Sequence, residues 1–257
     1  MTATAPDSQG GPAAAGAAEA PAGEACSSRH ARLLVLGANG PTGRQVVAQA
    51  LDRGHEVHAL TRHPETFPLR HDRLHVIAGD ATDEGVIDAA VRATDAVICT
   101  IGAAFTRKPV EVYSTTARLL AASMRHHGKR RLVVVTSGGV DTAHRPEGIA
   151  GRVSKAVVRD VVGKTVYDDM EKMESTVSAT DLDWTIVRPP GLTDEPGTGY
   201  ETAENSIDGP FMSREDLARM LLDQLDDDRF NRKVAAVTTP GLRVSAWSMF
   251  RREVLKR

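Results

Sequence analysis

Cysteine is nearly absent from this chain: two occur in 257 residues, Cys26 and Cys99. A disulfide framework is therefore excluded, and the usage fits a reducing cytoplasm. Cys99 lies inside the apolar run DAVICT and reads as a small buried residue rather than a nucleophile. Long apolar runs are missing too. None approaches the roughly 20 residues that cross a bilayer, so no membrane partner is expected. Neither sign of charge dominates; the net charge of -2 creates no field that would gather nucleic acid. The opening MTATAPDSQGGPAAAG lacks the basic-then-apolar order of a secretion signal, which again favours a cytoplasmic location. The histidines are scattered without metal-ligand spacing, and no metal site is expected.

Residues 1–29 are mostly Ala, Gly, Pro and Ser. Such a composition buries too little apolar surface to offset chain entropy, which predicts a disordered tail. Residues 30–257 are long enough for one ordinary core, and one domain is expected there, with a small carboxyl-terminal region completing a substrate pocket. Within it, short apolar runs alternate with helical patterns. LLVL, EVHAL, RLHVI, DAVICT, RLVVVT, DWTIV and KVAAVT read as strands, and helices are expected over 41–54, 82–93, 109–127, 150–179 and 213–226. Ser213 and Asp216 supply an S-x-x-D start signal for the last of these. The alternation predicts an α/β fold of the Rossmann type: a doubly wound, mostly parallel sheet with helices on both faces. In that architecture ligands lie beyond the carboxyl ends of the strands, so the loops there should share one crevice.

The most informative of these loops is LLVLGANGPTGRQVV. Gly37, Gly40 and Gly43 occupy the turn between the first strand and the first helix. A helix start offers unpaired N–H groups and partial positive charge, and glycine lets the backbone approach a pyrophosphate closely. Flexible turns use the same residues, so the neighbouring loops must decide. After the second strand comes Arg62, where a dinucleotide fold preferring NAD places an acid on the ribose 2′-hydroxyl. A cation there favours NADP(H), because a guanidinium pairs with a 2′-phosphate; the plain alternative is a solvated surface arginine. Arg44 and His63 are candidate helpers. After the third strand Asp80 either meets adenine or serves, as Thr82 also could, as a helix cap. Gly102 and Ala103 follow the fourth strand, where a small residue admits a dinucleotide, and Thr136, Ser137, Gly138 and Gly139 follow the fifth.

Taken in order, GANGPTG, LTR, GDATD, TIGA, VVVTSGG and LDWTIVRPPGLTD resemble an atypical short-chain dehydrogenase/reductase of the NmrA-like, NAD(P)H-binding family, over Arg32 to Gly241. Within it DAVICTIGA, PVEVYSTTARLLAASMRHHG and RPPGLTD are most similar to the biliverdin IXβ reductase, or flavin reductase, branch. The resemblance implies that Gly37, Asn39, Gly40, Pro41, Thr42 and Gly43 line the pyrophosphate and Arg62 the 2′-phosphate. It places Asp80 and Ala81 at adenine and Gly102 and Ala103 at ribose. Thr136 and Ser137 fall on the nicotinamide side, with Pro189, Pro190 and Gly191 as the opposite wall. It further implies an NADPH-dependent oxidoreductase passing hydride to a small conjugated acceptor such as a flavin, a biliverdin-like molecule or a quinone, with Ser137 orienting the acceptor. The alternative from the same family is a non-catalytic NADP(H)-binding redox sensor. A monomer or weak homodimer is expected.

One departure matters. Alcohol-handling short-chain dehydrogenases use a Tyr-x-x-x-Lys pair, in which lysine eases proton exchange by the tyrosine. Here Tyr167 is followed four places later by Glu171, with Lys172 one place late, and counting back from DWTIVRPP puts Val166 and Met170 at the expected positions. One residue turns a helical side chain by about 100 degrees, so Tyr167 is expected to miss the reacting position: a displaced acid or an amphipathic residue at the helix edge. The segment 141–164, including His144, is either a lid selecting anionic substrates or a solvated connection. The end RVSAWSMFRREVLKR, with Val244, Trp247, Phe250 and Leu255, reads as a terminal helix.

Overall fold

The structure, a computed structural model, describes residues 30–106, 108–141 and 163–242. The expected tail, most of the 141–164 segment with His144, the terminal helix and Cys26 lie outside those residues.

In chain order the elements are β1 (Arg32–Leu36), α1 (Pro41–Asp52), β2 (Glu56–Thr61), β3 (Leu74–Ala78), α2 (Glu84–Ala93), β4 (Ala96–Cys99), α3 (Val112–His126), β5 (Arg131–Val135), α4 (Lys164–Ser178), β6 (Asp183–Arg188), β7 (Gly191–Thr193), β8 (Glu201–Glu204), β9 (Phe211–Ser213), α5 (Arg214–Asp223) and β10 (Lys233–Thr238). Eight strands form one sheet in the order β3-β2-β1-β4-β5-β6-β10-β8. All its pairings are parallel except β10 with β8, and β7 and β9 form a separate two-stranded parallel ribbon. The strand order reverses between β1 and β4, which puts the doubly wound fold's ligand crevice at their carboxyl ends.

Leu33 to Leu36 are fully buried because β1 is covered on both sides. Leu33 and Val35 pack with Val46, Val47 and Leu51 of α1 and Leu217 and Leu221 of α5. Leu34 and Leu36 pack on the other face with Ile87 of α2, Leu120 of α3 and Met173 of α4. Cys99 belongs to that second layer. Burial pushes its thiol up to about 12, so the reactive thiolate is suppressed at neutral pH. Alkylation at the Cys99 peptide, followed by mass spectrometry, is expected only after denaturant is added; labelling in native protein would contradict this packing.

Helix starts differ from the sequence reading for identifiable reasons. Neither Asp80 nor Thr82 caps α2. Asp83 does, accepting from the Val86 amide at 3.0 Å. The start of α3 is capped across space, since Asp169 of α4 accepts from the amides of Tyr113 (2.9 Å) and Ser114 (3.4 Å) and from the Ser114 hydroxyl at 2.5 Å. The S-x-x-D signal at α5 forms by half. Ser213 accepts from the Glu215 amide, whereas Asp216 turns away to accept from the Thr198 and Gly199 amides and the Thr239 hydroxyl.

Candidate functional site

Parallel pairing brings the loops after β1, β2, β3, β4, β5 and β6 to the same edge of the sheet. At its centre, Gly37 adopts φ +71, and a Cβ built there would lie 2.6 Å from the Thr100 carbonyl oxygen. Gly43 is just as constrained: its Cβ would lie 2.2 Å from the Gly37 carbonyl oxygen. These two glycines are required by the protein's own backbone. Gly40 is the N-cap of α1 and Pro41 its first residue, and no side chain caps the helix or places an acid in its first turn. The amides of Thr42 and Gly43 have no partner among the described residues. A helix start with free donors and no competing carboxylate suits a phosphate.

Asn39 joins this turn to the loop after β2. Its Nδ2 donates to Thr66 Oγ1 at 2.9 Å, and its Oδ1 accepts from Arg44 Nε and Nη2 at 3.1 and 2.8 Å. Arg44 is thereby held beside the glycine turn. Arg62 is exposed at the end of β2. Asp80 accepts from the Thr82 amide and hydroxyl, and those bonds, with a smaller contribution from the charge of Arg62, hold its carboxyl below the usual carboxylate range. Asp80 is therefore an ionised acceptor at neutral pH. The neighbouring Ala81 carbonyl accepts from Thr116 of α3, which fixes that loop.

At the end of β4 the backbone is set by a residue the sequence reading did not single out. The buried Tyr113 hydroxyl accepts from the Ala103 amide at 2.9 Å, so that amide is occupied within the protein. Gly102 beside it is exposed, and a Cβ there would meet nothing within 4 Å. Thr136 departs from expectation. Its hydroxyl donates to Glu174 Oε1 at 2.6 Å and its amide to the Val187 carbonyl, so its polar hydrogens are engaged within the protein instead of facing a cofactor. Glu174 also takes Arg188 Nε at 3.0 Å and Nη2 at 2.6 Å. Burial opposes the charge of Arg188, but the bonds to Glu174 together with the charges of Glu174, Asp141 and Glu171 outweigh it and raise its pKa above the ordinary value.

Ser137 is half-buried and accepts from the Gly139 amide at 3.2 Å. Gly138 donates to the Pro189 carbonyl at 2.8 Å, which joins the expected wall to the β5 loop. Pro190 is half-buried, and exposed Gly191 begins β7. Tyr167, expected to miss the reacting position, lies with its ring on Gly139: a Cβ there would be 2.5 Å from Tyr167 Cε1 and 2.8 Å from its hydroxyl oxygen. Phe105, half-exposed, stands 6.1 Å from the Tyr167 ring. Folding thus gathers Ser137, Tyr167 and Phe105 around one loop. A cavity of about 500 Å³ beside this loop is lined by Val140, Glu171, Glu174 and Arg188 among others, and no residue expected at the cofactor lines it.

The scattered histidines need one correction. Glu56, His58 and His75 converge in space, their nearest donor atoms within 4.8 Å of one another. Pairing of β2 with β3 brings them together, which linear spacing does not reveal.

A reversed strand order, an uncapped helix start and a glycine turn pressed on the backbone after β4 define a Rossmann-type dinucleotide-binding fold. The chain belongs to the NAD(P)H-binding family, whose model matches residues 37–228. It is similar to the uncharacterized sugar epimerase YhfK of Bacillus subtilis, 27% identical over 204 residues that make up 76% of this chain and 88% of that protein. In fold it resembles a short-chain dehydrogenase/reductase from Veillonella parvula in complex with NADP, with a TM-score of 0.70 and 20% identity, covering 82% of this chain and 95% of that one. It also resembles ChuY, an anaerobillin reductase from Escherichia coli O157:H7, with a TM-score of 0.64 and 25% identity, covering 83% of this chain and all of the other. Among the described residues no helix is long and apolar enough to cross a membrane.

Proposed function

We propose that this protein is an NADPH-dependent reductase passing hydride to a small conjugated acceptor in a reducing cytoplasm. The observation that carries the reading is the pairing of unpartnered Thr42 and Gly43 amides with the unobstructed backbone at Gly102 on one edge of the sheet. In this reading the amides hold a pyrophosphate, Asp80 accepts from adenine, and Arg62, with Arg44 beside it, faces a 2′-phosphate. The dinucleotide, when bound, supplies the hydride. Ser137 orients the acceptor, and Tyr167 donates a proton or closes the pocket wall with Phe105. Two aromatic rings at the Ser137 loop favour a flat, electron-accepting ring system, and the fold's likeness to an anaerobillin reductase supports the same acceptor class.

The test is to mix purified protein and NADPH with a panel of flavins, quinones and linear tetrapyrroles and follow nicotinamide absorbance. Loss of absorbance with at least one acceptor is expected. Tight NADPH binding without turnover on any of them would favour the non-catalytic sensor, a reading that Glu171 in the lysine's place keeps open.

Cofactor preference has its own test. Arg62→Asp replaces a phosphate partner with a repelling charge, so NADPH should weaken relative to NADH by about tenfold, the low end for a charge-assisted contact because Arg62 is solvated. Equal weakening of both cofactors, measured by fluorescence titration, would remove Arg62 from the 2′ position.

A further inference from the structure

We propose that Glu56, His58 and His75 form a binding site for a borderline divalent transition-metal ion, Zn²⁺ or one of similar ligand preference, away from the cofactor crevice. His58 and His75 are register partners on the adjacent parallel strands β2 and β3. Their side chains therefore project from one face of the sheet, and Glu56, two residues before His58, projects from the same face. The tips have already converged. Glu56 Oε1 lies 3.1 Å from His58 Nε2 and 3.2 Å from His75 Nε2, and the two imidazole centroids are 4.9 Å apart. Zinc bonds of about 2.0–2.1 Å in a tetrahedral arrangement place neighbouring donor atoms roughly 3.3–3.4 Å apart. Two of the three donor separations are thus close to those of a metal centre before any ion is added.

Two imidazoles and one carboxylate are a donor set that zinc accepts with water in the fourth position, whereas Mg²⁺ and Ca²⁺ call for oxygen ligands throughout. The surroundings suit an exchangeable ion. The His75 side chain is 52% exposed and that of Glu56 39%, which leaves an entry path, while His58 at 14% anchors the site in the sheet. The nearest strand partner of Glu56 is Arg32, whose guanidinium is committed to Asp95 at 2.7 Å. Arg73, on the loop before β3, donates to the Leu51 carbonyl. Donors rooted in two hydrogen-bonded strands need little ordering to bind. An ion there would also tie the edge strand β3 to β2.

The site lies at the amino-terminal half of β2 and β3, whereas the cofactor loops follow their carboxyl ends. Binding of metal and of dinucleotide should therefore be separable. The experiment titrates Co²⁺ into the full-length chain, follows its visible absorption, and then displaces it with Zn²⁺. One equivalent should bind with the spectrum of a low-coordinate site and be displaced by Zn²⁺. His75→Ala should weaken binding more than the roughly 10–100-fold seen when an outer-shell partner of a metal is lost. Glu56→Gln, nearly isosteric, is the second variant, and unchanged NADPH binding in both reports an intact fold. No Co²⁺ uptake by the unaltered chain, or uptake by both variants equal to that of the unaltered chain, would overturn the proposal.

Discussion

Glu174→Ala should lower the free energy of unfolding by about 3–5 kcal/mol, the range for breaking a buried ion pair by removing one partner. Glu174 on α4 serves two strand ends: the Thr136 hydroxyl after β5 and the Arg188 guanidinium closing β6. The Glu174 and Arg188 side chains are only 10% and 16% exposed. Alanine would leave a guanidinium and a hydroxyl without the acceptor they now share. The effect should extend to the site, because Ser137 follows Thr136 directly and Pro189, the carbonyl partner of Gly138, follows Arg188. Glu174→Gln keeps an acceptor of the same shape but removes the charge, so it should fall between alanine and the native protein. Urea unfolding, with the slope unchanged and only the midpoint shifted, is the measurement. A loss under 1 kcal/mol for Glu174→Ala would mean that Arg188 finds other partners.

The parts of this architecture written in local pattern were legible in the chain. The seven apolar runs all became strands of the main sheet, because buried parallel strands need continuous apolar residues. The glycine turn was legible because glycine is the residue whose absence of a side chain has steric meaning. What escaped was non-local or too short. The three-residue strands β7 and β9 offer no periodicity to read, and β8, ETAE, is polar and holds an edge. Asp169 capping another helix, Tyr113 holding the Ala103 amide, and the Glu56-His58-His75 convergence depend on residues between 10 and 56 positions apart. Tyr167 shows the limit of helical counting. Counting places its Cα one position from the family's tyrosine but says nothing of where the ring packs, which is on Gly139 across the gap between α4 and the β5 loop.

Gly102→Val should leave folding intact and weaken dinucleotide binding by roughly 10–100-fold, the scale of an overpacking clash of about 1–3 kcal/mol. The glycines at this edge of the sheet differ sharply in their surroundings. At Gly37 and Gly43 a Cβ would collide with backbone at 2.6 and 2.2 Å, so substitution there damages the protein itself. At Gly102 a Cβ meets nothing within 4 Å, and the backbone is outside the left-handed region. Among the described residues nothing demands glycine at that position. If the open space is where ribose passes, valine fills the ligand's volume and no volume of the fold. Unfolding midpoints should then agree with the native protein to within about 0.5 kcal/mol, the usual scatter of surface substitutions. Gly102→Ala, adding one carbon, should bind between valine and glycine. Gly43→Val serves as the opposite control, losing stability first and binding only as a consequence. Should Gly102→Val bind NADPH as the native chain does, the track of the dinucleotide would have to leave β1 on the β2 side without crossing β4.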